Sequence, residues 1–204
     1  MAIRKFVGDL PNLENYGHEV AIDTETMGLL TRRDRLCVVQ LSSGDGNCDV
    51  VQIPPGHKDS PNLKKLLADE KITKLFHFAR FDMAVLQNHF DIKVTPVYCT
   101  KIASKIARTY TDRHGLKDLC RELLGVEISK QQQSSDWGVD ELSKSQTEYA
   151  ASDVLHLHDL KRHLDLILLR EGRHELANKS MGFLETRVDL DLAGWDETDI
   201  FAHS

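Results

Sequence analysis

No stretch of this 204-residue sequence is apolar for long enough to span a bilayer; the longest apolar run near the C-terminus, Leu164 to Leu169, is broken by Asp165. The opening segment, MAIRKFVGDLPNLENYG, has neither a long apolar core nor a small-residue cleavage site, so no secretory signal is expected. Both absences point to a cytoplasmic protein with no membrane partner. Cysteine is scarce. Cys37, Cys48, Cys99 and Cys120 form no C-x-x-C pair and have no histidine at zinc-ligand spacing, so reduced, buried thiols are expected. His156 and His158 lack a third ligand and predict no zinc site. Positive charge is also short, with 26 Lys and Arg against 32 Asp and Glu and a net charge of −6. That argues against a protein held to long duplexes by phosphate contacts. It leaves room for a small nucleic-acid substrate and for acidic residues gathered round bound cations. Repeats, heptads and low-complexity tracts are missing too.

What remains reads as a globular domain, with 41% hydrophobic and 28% charged residues. Val20–Thr26, Arg35–Ser43 and Asn47–Ile53 are apolar runs, and Gly44-Asp45-Gly46 between the last two is a turn signal. They predict consecutive antiparallel strands ended by Pro54-Pro55-Gly56. A helix over 62–69, a short strand over 74–78 and a helix over 80–90 follow, the alternation of an α/β sheet domain. From Cys99 on the pattern is mostly helical: 99–110, 116–124 between Gly115 and Gly125, 145–169 and about 175–185. The polar stretch Lys130–Trp137 reads as a loop, and the acidic tail from Asp189 carries Trp195, Ile200 and Phe201, which suggests that it docks on something.

The chemistry gathers on acidic residues. Asp23 and Glu25 lie two apart on a strand and so share a face. Paired carboxylates repel and resist burial unless a cation neutralises them, and all-oxygen ligands suit Mg²⁺ or Mn²⁺. A pair of solvated acids at a strand end is the plain alternative. Asp82 falls near a helix N-terminus, where simple capping would also account for it. Tyr149 and Asp153, four apart, share a helix face. Each element alone is weak. In this order they supply about the oxygen ligands that two cations need, about 3.5–4 Å apart, to clamp an in-line displacement at phosphorus.

AIDTETMGL, HFARFDMAVL, HGLKDLCRELLG, QQSSDW and YAASDVLHLHDL resemble the successive motifs of RNase D-like DEDD exonucleases, over roughly residues 20–165. The histidine subclass has its His five residues before the last Asp. Glu148 stands there, and Tyr149 lies four before Asp153, so the resemblance is to the tyrosine subclass. It implies an RNase H-like (DnaQ-type exonuclease) mixed five-stranded sheet flanked by helices. It implies two divalent metal ions, Mg²⁺ or Mn²⁺, on Asp23, Glu25, Asp82 and Asp153, with Tyr149 orienting the attacking water. An unperturbed phenol titrates near 10, so a positioning hydrogen bond suits Tyr149 better than strong-base chemistry. Full-length RNase D has further helical domains. Residues 1–204 read instead as a single 3′–5′ exonuclease domain with a C-terminal helical extension from about 166. That form resembles the compact nano-RNase branch, which implies a short single-stranded RNA substrate, dinucleotides included, and a homo-oligomer (dimer or higher). General RNase D-like trimming of RNA 3′ ends, DNA exonuclease activity and a non-catalytic RNA-binding module are the alternatives.

Thr24, Met27, Leu29, His77, Lys130 and Gln133 are the candidates for substrate contact. In related exonucleases a residue near Leu29 wedges against the terminal bases; an apolar residue at a strand end is equally ordinary core. His77 suits a phosphate or ribose contact or a structural role. Lys101, Lys105 and Arg108, at i, i+4, i+7, form either a basic stripe facing RNA or a solvated helix face. The stripe Leu157, Leu160, Leu164 and Leu168, with Trp195, Ile200 and Phe201, packs within the monomer or between subunits.

Overall fold

The computed structural model describes residues 2–129 and 131–203. Its sheet has six strands: β1 (Ile3–Val7), β2 (Glu19–Thr26), β3 (Leu36–Ser42), β4 (Cys48–Gln52), β5 (Thr73–Phe76) and β6 (Val97–Cys99), in the order β1-β4-β3-β2-β5-β6. The pairs β2–β3 and β3–β4 are antiparallel, as the Gly44-Asp45-Gly46 turn predicts, whereas β1–β4, β2–β5 and β5–β6 are parallel. The sheet is thus mixed and α/β, with six strands where five were expected. The run IRKFV of β1 carries the charged Arg4 and Lys5 and lies at the sheet edge, where only one neighbour pairs with it.

The strands β3 and β4 are almost wholly buried, because helices cover both faces. On one face lies α2 (Ala79–Phe90), against β2, β3, β5 and β6; α5 (Lys144–Leu155) crosses β1 to β4. Around them sit α1 (Pro61–Ala68), α3 (Thr100–Ala107) and α4 (Leu116–Leu119), which runs into a π-helical turn over Cys120–Leu124. Gly125 closes that turn at φ 68°, a conformation that an L side chain resists. The expected long helix over 145–169 is two: α5 ends at His156, and α6 (Leu157–Arg170) departs to pack on α3. Leu157, Leu160, Leu164 and Leu168 are fully buried, so that stripe is core. All four cysteines are free and buried. Among the described residues no helix is long and apolar enough to cross a membrane.

The segments α7 (His174–Gly182) and α8 (Leu184–Leu190) return along α3 and α2, and a π-turn over Asp191–Trp195 follows. The docking expected of the tail is an ionic tie. Arg80 makes two hydrogen bonds to Asp191, at 2.7 and 2.8 Å, and Arg187 bonds the same carboxylate at 2.6 Å. Arg80 also donates to the carbonyl of Asp196 at 2.6 Å, and Arg187 to that of Trp195. Trp195, Ile200 and Phe201 themselves stay exposed.

Candidate active site

The strand β2 pairs with β5 only as far as Ala21, so its last residues project past β5 while still paired with β3. Ligand sites form at such carboxyl ends of strands in α/β sheets. Asp23 and Glu25 occupy this overhang on one face. Above them α5 presents Asp153. One carboxylate oxygen from each of Asp23, Glu25 and Asp153 lies within 4.8 Å of the others, the one such group of potential metal ligands among the described residues. Tyr149 sits one turn before Asp153 on the same helix face, as the i, i+4 spacing predicts.

Asp82 enters differently. The strand β5 ends at Phe76, and Phe78, at φ 82°, turns the chain sharply into α2. Asp82 falls in the first turn of that helix and is buried. Its Oδ1 accepts a hydrogen bond from the Thr24 hydroxyl at 2.7 Å, and the backbone of Thr24 and Asp82 also bonds the carboxylate. It stands outside the 4.8 Å group, yet its charge acts on Asp23 and Glu25.

The electrostatics are those of a cation site. Burial, then repulsion from Asp82, Asp153 and Glu25, raises the Asp23 carboxyl well above the carboxylate range. Burial, with Asp153 and Asp82, pushes Glu25 up to about 9. Burial lifts Asp82 to about 7 against the opposing hydrogen bond from Thr24. Burial and the three neighbouring carboxylates also raise Tyr149, which stays a neutral phenol able to donate. An all-oxygen set this crowded and this poorly solvated fits hard divalent cations, whose charge would relieve the repulsion.

Asp23, Glu25 and Asp153 line a cleft of about 610 Å³, and Asp82 is buried behind them. Thr24, Met27, Leu29, His77 and Gln133 all line it, while Lys130 lies outside the described residues. Leu29 is 82% exposed at the mouth, so it is not core. Met27 rests on Gly138, where any Cβ would collide with its sulfur. The Thr100 hydroxyl donates to the carbonyl of Phe76 at 3.1 Å, so towards His77 Nδ1, at 2.9 Å, it acts as acceptor and fixes the proton on Nδ1. The cleft also takes in Phe81, Lys117, Ser134, Ser135 and Trp137, which were not singled out for contact with substrate. The motif QQSSDW was the available signal for three of them. Its loop is tied to α5 by Gln146, which caps the helix and donates to Ser135 Oγ and the Asp136 carbonyl, both at 2.8 Å. Trp137 is buried with its ring centroid 6.0 Å from that of Tyr149.

The basic stripe does not form. Lys101 does line the cleft, with its ammonium 4.5 Å from the Phe78 ring centroid. Arg108 instead turns inward, fully buried, and pairs with Glu122, Ser104 and the carbonyl of Arg113. It stands just past the end of α3 at Ala107 and reaches the π-helical turn that bears Glu122.

Residues 4–169 match the 3′–5′ exonuclease family. Ribonuclease D of Granulibacter bethesdensis is 34% identical over 165 residues, covering 81% of this chain and 41% of its own length. The chain therefore spans about two fifths of that relative. Among solved structures, Brucella melitensis NrnC bound to pGG is 61% identical with a TM-score of 0.97, covering 100% of both chains. The same protein with bound Mg²⁺ is 60% identical with a TM-score of 0.96, again over 100% of both chains. Fold, ordered motifs and these likenesses agree: the chain belongs to the RNase D-like 3′–5′ exonuclease family of DEDD nucleases.

Proposed function

We propose that this protein hydrolyses short RNA oligonucleotides, dinucleotides included, from the 3′ end and releases 5′-mononucleotides. The observation that carries this reading is the meeting of Asp23, Glu25 and Asp153 within 4.8 Å on the floor of the cleft, beside Tyr149. In this reading Asp23, Glu25, Asp82 and Asp153 hold two divalent cations, Mg²⁺ or Mn²⁺. Those cations, when bound, supply an activated water and neutralise charge at the scissile phosphate and the leaving 3′-oxygen. The Tyr149 phenol, kept neutral by burial and by the neighbouring carboxylates, orients the water by hydrogen bonding. Leu29 and Met27 meet the terminal base, and His77 meets the ribose. Thr24 acts through Asp82, Gln133 approaches the substrate from the cleft wall, and Lys130 remains a candidate contact.

Three observations support a short substrate. The cleft volume of about 610 Å³ falls in the range of small-ligand pockets. A net charge of −6 suits an enzyme that grips few phosphates. The structure of the similar Brucella NrnC carries pGG. RNase D-like trimming of longer RNA is the second reading, favoured by Lys101 and Lys117 on the cleft wall. A cytoplasmic location fits the four free cysteines. Residues 1–204 act as one exonuclease domain with a helical extension from about 166. The exposed Leu166, Leu169, Leu176 and Phe201 support assembly of that extension into a homo-oligomer.

Hydrolysis of 5′-labelled RNAs from two to about twenty nucleotides, with Mg²⁺, Mn²⁺ or EDTA, tests the reading. A metal-dependent rate that peaks at the shortest RNAs is expected. A rate that holds or rises with length assigns the trimming role instead. Cleavage of DNA alone, or of nothing, removes the ribonuclease reading.

A further inference from the structure

The side chain of Gln40 lies in the middle of β3, fully buried, with Val39 and Leu41 beside it in the strand. Neither its Oε1 nor its Nε2 meets a hydrogen-bond partner. A primary amide removed from water without partners is a costly core residue, and methionine or leucine would fill similar space without that cost.

The sheet register places Gln40 beside the acidic cluster. It stands directly opposite Asp23 in the β2–β3 ladder, and opposite Val50 on its other side. Residues opposed across an antiparallel ladder point to the same face, with Cβ atoms about 5 Å apart. The amide therefore shares the face of Asp23 and Glu25, which is the face over which α5 brings Asp153. Val50 offers no polar atom, so the Asp23 carboxylate is the acceptor that the register sets beside it.

We propose that Gln40 is a positioning residue of the metal site: its Nε2–H donates to the Asp23 carboxylate in the cation-loaded protein and fixes the orientation in which Asp23 presents its other oxygen. The inference rests on the metal-site reading above. Donors behind a ligating carboxylate act in this way, and losing one typically weakens metal affinity about 10- to 100-fold.

The test is a Mn²⁺ titration of the full chain without RNA, read by electron paramagnetic resonance of the free ion, for wild type, Gln40→Met, Gln40→Leu and Asp23→Asn. Gln40→Met and Gln40→Leu remove an unpartnered amide, so each is expected to melt at or above the wild-type temperature. Each is also expected to bind Mn²⁺ at least about tenfold more weakly. Hydrolysis by Gln40→Met should recover towards wild type as Mn²⁺ is raised, which a generally damaged core would not do. Wild-type affinity in a folded Gln40→Met protein overturns the proposal, and so does failure of both variants to fold, which would make the amide a structural group. Failure of the underlying site reading looks different: Asp23→Asn would then bind Mn²⁺ as tightly as wild type.

Discussion

Thr24 and Asp82 are joined by a buried hydrogen bond of 2.7 Å, and the hydroxyl comes from the face of β2 opposite the one that bears Asp23 and Glu25. One strand thus serves the acidic cluster from both sides, directly through two carboxylates and indirectly by holding a third on α2. Thr24→Val keeps the shape and removes the donor. It should cost about 1–3 kcal/mol of stability, because a buried acceptor loses its partner. Urea denaturation of the cation-free protein measures this, and an unchanged midpoint would remove Thr24 from the support of Asp82.

Tyr149→Phe should lower kcat about a hundredfold with little change in KM, the mark of a group that acts on the reacting water rather than on RNA binding. Single-turnover kinetics on a short RNA would show it. A raised KM at unchanged kcat would make Tyr149 a substrate-binding residue.

The acidic cluster also predicts an unusual dependence of stability on pH. Glu25, at about 9, and Asp82, at about 7, titrate well above their ordinary values of 4.5 and 3.8. Between those limits the folded protein binds more protons than the unfolded chain, so the cation-free fold loses stability as pH rises from about 4.5 to about 9. Cation binding needs the deprotonated carboxylates. The gain in melting temperature from saturating Mg²⁺ should therefore grow between about pH 6 and about pH 8.5. A gain that is flat or shrinks over that range would contradict the site.

Asp191→Asn leaves Arg80 and Arg187 converging on a neutral amide. Breaking a buried pair costs about 3–5 kcal/mol, and solvent at Arg80, 36% exposed, reduces the expected loss to about 2 kcal/mol. Chemical denaturation measures the loss. A variant as stable as wild type would show that the tail is held by other contacts.

Much of the site could be read before the fold was seen, because its spacings are those of its elements. Asp23 and Glu25 follow the two-residue period of a strand, and Tyr149 and Asp153 the four-residue turn of a helix. Asp82 was legible only through the order of motifs, since its place depends on where β5 stops and α2 begins. Three features escaped for physical reasons. The residues of β1 include the adjacent charges Arg4 and Lys5 at a sheet edge and carry little strand signal. His156 breaks the long helix with no proline or glycine to mark it, because the bend follows from what α5 and α6 pack against. Arg108 read as facing RNA or solvent because periodicity cannot show that Glu122, fourteen residues on, would fold back as its partner.

The first turn of α2 holds Arg80 and Asp82 two residues apart, one bonded to the tail and the other to Thr24. A chimera that took this exonuclease fold only as far as α6 would leave that turn with its sheet contacts and Thr24 but without the tail. The terminal segment thus braces, through Asp191, the helix that carries the third carboxylate, so a transplant of this active site that keeps Asp191 keeps that brace.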